Sequence, residues 1–244
     1  MEKTDPLIYS LIKRKQTFYK VVPFDAAKDK LLLMNFTASN TDLSDDILTD
    51  VQKFSNYIEN LLQTHDCRYG IGGYNERRTI YTRSEVFNDY KNAVHKKNEV
   101  VEPRTLHLGI DIWGKAGTPV SVPMGGVIHS FAFNEQYGDY GATIILQHQL
   151  ETIVFHTLYG HLSLKDLNGL KPGKFISQGE VIGHFGEPNE NGQWPPHLHF
   201  QIIKDTRVQK GDYPGVCKFS EREHYLSNCP DPDLILQMMQ YAKS

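Results

Sequence analysis

Five residues in three short stretches of the sequence carry groups that can hold a metal ion and move protons. His107 and Asp111 lie in HLGID, His161 lies in YGHL, and His197 and His199 lie in HLHF. A catalytic zinc ion takes about three protein ligands, which are imidazole nitrogens or carboxylate oxygens, and keeps one coordination position open. Four imidazoles and one carboxylate provide such a ligand set with imidazoles left over for acid–base chemistry. The pattern predicts a metal-dependent hydrolase.

The spacing of the last two histidines indicates how they are used. Side chains two residues apart on a strand point to the same face, so His197 and His199 would face one site. One of them can bind the metal while the other works beside it, and His107 and Asp111 can supply the remaining ligands. Because the three stretches are far apart in the sequence, only a fold that places strands side by side could bring them together.

The three motifs, in this order, resemble a known family. HLGID, YGHLS and PPHLHFQI are similar to the motifs of the LytM-like zinc metallopeptidases of the M23 family. The resemblance implies that His107, Asp111 and His199 bind zinc. It implies that His161 and His197 are the catalytic histidines, one accepting the proton of a zinc-activated water and one hydrogen-bonding the oxyanion. Which of them does which stays open.

The resemblance covers roughly residues 100 to 205 and implies a mainly β fold. The segments GTPVSVPMGGVIHSFAF and LKPGKFISQGEVIGHFG contain short apolar runs interrupted by Gly and Pro, which is typical of antiparallel strands and turns. We therefore expect an antiparallel β-sheet or sandwich of the LytM-like type, the duplicated hybrid motif. A zinc peptidase domain over residues 98–210 would lie between a helical N-terminal extension, residues 1–97, and a C-terminal extension with a short helix, residues 211–244.

Patterns outside the motifs predict one strand and three helices. Residues 31–38, LLLMNFTA, could form a short buried strand or a helical turn. A helix is predicted from the N-cap Ser44 to about His65, because apolar residues recur there at helical spacing. A second helix is predicted from Ser84 to about Lys96, and a short one over Pro232–Ala242.

Two loops could change the substrate cleft. The glycine-rich stretch YGIGGYNERR precedes the first ligand, and the resemblance suggests that Asn75 or Glu76 could reach the zinc and block its open position. A surface turn is the alternative. Before the last motif, QWPP at residues 193–196 replaces a small Thr-Gly or Ser-Gly step that is common in the family, which predicts a stiffer, reshaped rim.

Other residues could support the site. Some family members place a tyrosine just upstream of the first ligand to stabilise the transition state, and this chain has none there; Tyr74, Tyr137 and Tyr140 are the candidate substitutes. The remaining histidines are all expected to be structural or surface residues: His65, His95, His129, His148, His156, His184 and His224. Among them, His156 and His184 lie nearest to the motifs and are the first candidates for a supporting role.

Composition limits the partners and the compartment. A net charge of −3 gives no electrostatic reason to expect binding to nucleic acid. No stretch has the length of a membrane span, and no secretory signal is visible. The three cysteines lack CxxC spacing, which argues against a disulfide framework. As the sequence stands we expect a cytoplasmic protein. A periplasmic or extracellular location would require a signal that has been removed or another export route.

The favoured hypothesis is a zinc-dependent metalloendopeptidase that cleaves peptides of the peptidoglycan cross-link type. Peptidoglycan lies outside the cytoplasmic membrane, so a cytoplasmic zinc peptidase or amidase with another substrate is the first alternative. A non-catalytic zinc-binding regulatory module is the second. A phosphocarrier-like β domain also uses paired histidines, but it has no use for Asp111 as a metal ligand.

Overall fold

A computed structural model of the protein describes residues 5–88 and 102–243. Its strands are β1 Leu31–Leu33, β2 Tyr69–Gly72, β3 Arg104–His107, β4 Ile110–Trp113, β5 Pro119–Ser121, β6 Gly126–Asn134, β7 Gly141–Leu150, β8 Ile153–Leu162, β9 Phe175–Ile176, β10 Val181–His184, β11 His197–Ile203, β12 Val216–Lys218 and β13 Ala242–Lys243. Its α-helices are α1 Pro6–Arg14, α2 Asp45–Thr49, α3 Val51–Thr64, α4 Arg222–Asn228 and α5 Asp233–Leu236. Short 3₁₀ helices are Lys15–Thr17, Ile80–Arg83, Glu85–Phe87, Leu164–Leu167, Phe219–Glu221 and Met239–Tyr241. The predicted mainly β fold is confirmed.

Within the described residues, nine strands form one sheet in the order β13-β1-β2-β4-β11-β8-β7-β6-β9. Pairing is antiparallel from β2 to β9, as predicted, but β1 lies parallel to both β2 and β13. Two smaller ladders, β5 with β10 and β3 with β12, flank the large sheet. The parallel edge was not predicted, because β1 is only the three residues LLL and carries no pattern that specifies a partner.

Strand β11 separates a core face from a functional face. Leu198, Phe200 and Ile202 alternate into the main hydrophobic core, together with residues of β5 and β10. His197 and His199 occupy the intervening positions and so point to the opposite face. All of these side chains are buried, because other elements cover both faces of the sheet.

The helix predicted from Ser44 to His65 is two helices, which is a correction. The Ser44 side chain caps α2, as expected, but Asp50 interrupts the helix with φ −106° and ψ 113°. The Asp50 carboxylate then caps α3 by accepting hydrogen bonds from the backbone N–H groups of Gln52 and Lys53, at 2.8 and 3.1 Å. An aspartate that can cap a helix can also begin a new one inside an apolar periodicity.

The other predicted elements are shorter than expected. The strand predicted at residues 31–38 is confirmed over its first three residues. The helix predicted from Ser84 is a 3₁₀ turn at Glu85–Phe87 that ends at Asn88, whose backbone is extended with φ −107° and ψ 111°. The remaining residues of that prediction, with His95, lie outside the described residues. At the C terminus, α5 is followed by a 3₁₀ turn and β13.

The three predicted domain segments contribute to one sheet. Strands β1 and β2 come from residues 1–97, β4 and β11 from residues 98–210, and β13 from residues 211–244. The domain boundaries stay a prediction. No helix in the described part of the chain is long and apolar enough to cross a membrane.

Candidate active site

Strand register brings the three predicted metal ligands together. Asp111 on β4 lies directly opposite His199 on β11 in the antiparallel ladder. His107 is the last residue of β3, four residues before Asp111. Their ligand atoms all lie within 4.8 Å of one another, and the three side chains are buried.

The ligand atoms form a tight triangle. His107 Nε2 lies 2.9 Å from His199 Nδ1, and Asp111 Oδ1 lies 3.1 Å from His199 Nδ1 and 3.3 Å from His107 Nε2. The outer nitrogen of each imidazole has its own acceptor: His107 Nδ1 donates to the Gly73 carbonyl at 3.0 Å, and His199 Nε2 donates to Gln201 Oε1 at 2.9 Å. With the protons placed on those outer nitrogens, three lone-pair atoms face one point.

This donor set fits a metal ion. Three electron-rich atoms at hydrogen-bonding distance with no proton between them need a shared cation, and two imidazoles with one carboxylate are a ligand set used by catalytic zinc. The second partner of each imidazole fixes its orientation, as in other zinc sites. Gln201 is held in turn, because its amide Nε2 donates to the Pro214 carbonyl at 3.2 Å and to Cys229 Sγ at 3.3 Å.

The two predicted catalytic histidines lie side by side next to this cluster. The rings of His161 and His197 are 4.0 Å apart between centroids, and the ring of His161 is 6.4 Å from that of His199. Each donates its Nδ1 proton to a backbone carbonyl, His161 to Asn191 at 2.8 Å and His197 to Pro195 at 2.7 Å. Both Nε2 atoms therefore carry a free lone pair.

Burial keeps the catalytic pair neutral. Loss of hydration lowers the pKa of His161 to about 4 and the pKa of His197 well below its ordinary value. His199 further disfavours a positive charge on His161, and His161 disfavours one on His197. At neutral pH both are proton acceptors. His197 is further fixed by Trp113, whose ring stacks on it at 3.9 Å with an interplanar angle of 14°.

His161 has an unusual backbone conformation. Its φ is +61°, in the left-handed region that residues other than glycine seldom occupy. Two hydrogen bonds hold it there: its N–H donates to the Tyr140 carbonyl at 2.8 Å, and its carbonyl accepts from the Gly186 N–H at 2.9 Å. The strained backbone turns the imidazole away from the line of β8 toward His197.

A buried arginine that the sequence analysis missed contacts the ligand cluster. The Arg78 side chain has no exposed surface, and its Nη1 donates to Asp111 Oδ2, the carboxylate oxygen that does not face His199. Its Nε donates to Glu76 Oε2 at 2.7 Å and its Nη2 to the Gly72 carbonyl at 3.2 Å. Burial opposes its charge, but Asp111 and Glu76 outweigh that effect and raise the pKa of Arg78.

Charge balance around Asp111 depends on this arginine. Burial alone would favour the protonated carboxyl, but His107 and Arg78 hold the pKa of Asp111 well below its ordinary value. The same positive neighbour, together with burial, lowers the pKa of His107 to about 3. Asp111 is thus an ionised ligand and His107 a neutral one.

Asn75 and Glu76 do not reach the ligand cluster, which contradicts the blocking role and agrees with the surface turn. Asn75 is exposed and its Oδ1 accepts from Arg222 Nε at 2.9 Å. Glu76 pairs with Arg78 instead of joining the ligand cluster. The glycine-rich stretch approaches the site through its backbone, because a Cβ at Gly73 would lie 1.8 Å from Arg78 Nη2 and 2.9 Å from His107 Nδ1.

The five predicted residues line one cleft of about 780 Å³. The cleft walls include the 3₁₀ turns near Ile80–Phe87 and the ring of Trp194, from the QWPP stretch that was predicted to reshape the rim. Of the three candidate tyrosines, Tyr140 lies at the site, with its Oη 3.4 Å from His199 Nε2. Tyr74 instead donates to the Cys229 carbonyl.

His156 and His184, the two histidines nearest to the motifs, do not line the cleft. His184 Nδ1 lies 3.1 Å from Asp166 Oδ1, and His156 packs against His129 with 5.0 Å between ring centroids. Proximity in sequence to the motifs was a poor guide, because both side chains lie on strands whose register places them elsewhere.

A comparison with known families finds a match for the segment that carries the site. Residues 105–211 match the model of peptidase family M23. The resemblance seen in the three motifs is confirmed, and all five site residues lie inside the M23 segment.

Individual proteins are also similar to this chain. The L-Ala–D-Glu endopeptidase of Bacillus subtilis (strain 168) is 30% identical over 129 residues, which cover 50% of this chain and 37% of that relative. A zinc-containing peptidase from Vibrio cholerae is 26% identical over 44% of this chain and 30% of that one, with a TM-score of 0.33. The catalytic domain of the antimicrobial peptidase lysostaphin from Staphylococcus simulans is 23% identical over 75% of this chain and 97% of that one, with a TM-score of 0.41. The chain spans little more than a third of the curated relative.

Proposed function

We propose that the protein is a zinc-dependent metalloendopeptidase that hydrolyses peptides of the peptidoglycan type. One observation carries the proposal. A single cleft holds three converging lone-pair ligand atoms, from His107, Asp111 and His199, beside two neutral imidazoles, His161 and His197. A structural metal site needs no such pair of free bases.

Each residue has a part in the reaction. Zinc, when bound by the three ligands, supplies Lewis-acid polarisation of the scissile carbonyl and lowers the pKa of a water molecule to about 7. The Nε2 atoms of His161 and His197 are the acceptors for the proton of the attacking water, and one of them returns a proton to the leaving amine. Burial raises the pKa of Tyr140 well above its ordinary value, so its hydroxyl stays a donor for the developing oxyanion.

The substrate class is supported by the curated relative. Its name states cleavage between L-Ala and D-Glu, a bond that contains a D-amino acid. Because this chain spans only 37% of that protein, the bond that it cleaves is proposed as belonging to the same class, and not as the same bond.

Metal content tests the ligand assignment. We expect about one zinc per chain in the purified wild-type protein by plasma emission spectroscopy, and loss of zinc in Asp111→Ala and in His199→Ala. His184→Ala, a histidine outside the cleft, is the matched control and should keep its zinc. Stoichiometric zinc retained in both ligand variants would refute the assignment.

The identity of the cleavage products tests the proposed reaction. The zinc-loaded protein is incubated with purified peptidoglycan fragments of several cross-link types, and products are identified by mass spectrometry. We expect cleavage of a peptide bond next to a D-amino acid or glycine, abolished in Asp111→Ala. If the protein hydrolyses an unrelated peptide or amide but no peptidoglycan fragment, the alternative of a zinc peptidase or amidase with another substrate is favoured. Bound zinc with no hydrolysis of any substrate would favour a regulatory module.

A further inference from the structure

The cleft contains a cationic side chain that the proposed reaction does not use. Arg83 ends the 3₁₀ turn Ile80–Arg83 and lines the same cleft as the metal cluster and the catalytic pair. It lies outside residues 105–211, the segment that matches family M23. A role of Arg83 is therefore not set by the family motifs.

Arg83 has no anionic partner among the described residues. Its Nε and Nη2 both donate to the Tyr137 hydroxyl, at 3.0 and 2.8 Å, and no described carboxylate lies within 4.0 Å of the guanidinium. Its Nη1 is buried and has no hydrogen-bond partner in the described part of the chain. Burial lowers the pKa of the guanidinium. A half-buried cation with an unpaired donor costs stability unless a ligand pairs with it.

Aromatic rings hold the guanidinium in one place. Its central carbon lies 4.6 Å from the ring centroid of Trp194, 5.0 Å from that of Tyr137 and 5.6 Å from that of Phe54. Such cation–π contacts stabilise the charge and fix the planar group. The donor is thus oriented before any ligand arrives, which reduces the entropy lost on binding.

A second unpaired donor belongs to the indole that contacts the guanidinium. Trp194 is 3% exposed, lines the cleft, and its Nε1 has no hydrogen-bond partner among residues 5–88 and 102–243. The ring of Trp194 is 6.4 Å between centroids from each of the two catalytic rings, His161 and His197. One indole therefore separates Arg83 from the reacting groups.

We propose that Arg83 Nη1 and Trp194 Nε1 together bind a carboxylate of the substrate peptide. The inference rests on the proposed peptidase function and names its substrate class: peptides with an acidic residue next to, or one residue away from, the scissile bond. Successive residues of an extended peptide are about 3.3–3.6 Å apart, so a side chain within two residues of the reacting carbonyl spans the indole. A carboxylate neutralises the guanidinium and accepts from both donors, whereas an amide supplies one weaker acceptor.

Binding is measured without turnover. The protein has two tryptophans, and both line the cleft, so intrinsic fluorescence reports on its occupancy. Zinc-loaded protein carrying His161→Ala is titrated with acetyl-Gly-Ala-D-Glu-Gly amide and with its D-Gln counterpart, which has the same shape and no charge. We expect the D-Glu peptide to bind about tenfold more tightly or better, the scale of a charged hydrogen bond.

Variants at the subsite locate the preference. Arg83→Gln should weaken binding of the D-Glu peptide about tenfold and leave the D-Gln peptide nearly unchanged. Arg83→Lys keeps the charge and should keep part of the preference for the D-Glu peptide. It provides a second test if Arg83→Gln does not fold. Trp194→Phe keeps the ring and removes Nε1, with Trp113 still reporting. Arg77→Gln changes an exposed arginine that does not line the cleft and is the matched control.

The outcomes separate this inference from the proposed function. Equal affinity of the wild-type cleft for the two peptides, or a preference that survives Arg83→Gln, would overturn the carboxylate subsite. If the same peptides are bound with the expected preference but the zinc-loaded wild-type protein cleaves neither them nor peptidoglycan fragments, the subsite stands and the peptidase proposal fails.

Discussion

Each imidazole of the site is held through one nitrogen and exposes the other. His107, His161 and His197 donate Nδ1 to backbone carbonyls, whereas His199 donates Nε2 to the Gln201 side chain. The choice of outer nitrogen fixes which lone pair faces the cleft. The two histidine ligands and the two histidine bases are the same residue type, and their positions relative to Asp111 separate the two roles.

The catalytic pair should be separable from the ligands by mutation. We expect His161→Ala and His197→Ala to keep about one zinc per chain but to lose about 10²- to 10⁴-fold in turnover, the usual contribution of a general acid or base. Zinc content and kcat are measured on the same preparations, with His184→Ala as the control. Turnover near the wild-type value in either variant would remove that residue from the mechanism.

Arg78 should contribute strongly to stability. Arg78→Met removes the buried cation and leaves Asp111 and Glu76 without their partner, which typically costs about 3–5 kcal/mol. The free energy of unfolding of the metal-free protein, measured by urea denaturation, should fall by that order. Arg77→Met, at the exposed neighbouring position, should change it little. Similar values for the two variants would show that the Arg78 pairs contribute nothing net.

Residue type, spacing and the resemblance of the three motifs to family M23 together predicted the five residues that the cleft brings together. The motifs are local, and strand periodicity puts His197 and His199 on one face. Arg78 and Arg83 could not be found in this way. Arg78 meets Asp111 only because β2 pairs with β4 and the chain returns past the cluster, and adjacent arginines in NERR give no sign that one is buried and the other exposed.

At the scale of elements, the N-terminal region builds one wall of the cleft. Helix α3 presents Phe54, whose ring lies 6.1 Å from those of Phe36 and Trp113 and 6.4 Å from that of Trp194. This aromatic cluster joins the helix to β4 and to the QWPP stretch. The cleft therefore depends on residues outside the M23 segment.

Removing the centre of that cluster should destabilise the protein. Phe54 is fully buried, and Phe54→Ala should cost about 3–5 kcal/mol through lost burial and the cavity left behind. Urea denaturation followed by circular dichroism measures this. Phe133→Ala, at a position that is 39% exposed, is the control and should lie within experimental error of wild type. A loss below 1 kcal/mol for Phe54→Ala would mean that the cluster repacks.

Element types were more predictable than element boundaries. Periodicity identified the apolar stripe from Ser44 to His65, but not the break at Asp50, because a polar residue on the exposed face of a helix and a capping residue look alike in sequence. The parallel pairing of β1 depends on partners in distant parts of the chain, and no local pattern encodes it.

At the scale of the whole molecule, buried histidines away from the site link stability to pH. His148 is 2% exposed, between the Gly125 carbonyl, 3.1 Å from its Nδ1, and Thr157 Oγ1, 2.7 Å from its Nε2. Burial lowers the pKa of His148 to about 4 and, with help from His129, also that of His156 to about 4.

The sign of the pH effect follows from those values. Above pH 6.5 these histidines are neutral in both folded and unfolded chains, so their burial does not make the free energy of unfolding depend on pH. Between pH 6.5 and about 4 only the unfolded chain takes up the protons, so the free energy of unfolding falls by about 1.4 kcal/mol per pH unit and histidine.

A substitution isolates one histidine. In metal-free protein, His148→Gln should show a shallower loss of stability than wild type as the pH falls from 6.5 to 4, measured by urea denaturation at each pH. His224→Gln, at an exposed position, should follow the wild-type slope. Parallel slopes for His148→Gln and wild type would show that His148 is not the responsible group.

The strand order of the large sheet governs how the molecule can form during synthesis. Strand β4, which carries Asp111, can pair with β2 as soon as residue 113 has emerged, but its other neighbour, β11, begins at residue 197. At the edge of the sheet, the second partner of β1 is β13, which is made only when residues 242–243 are added. A nascent chain therefore exposes open strand edges until residue 243 has been made, which favours misassociation. The ligand triangle is complete only once β11 has been synthesised, so the metal site cannot guide the folding of the segments that precede β11.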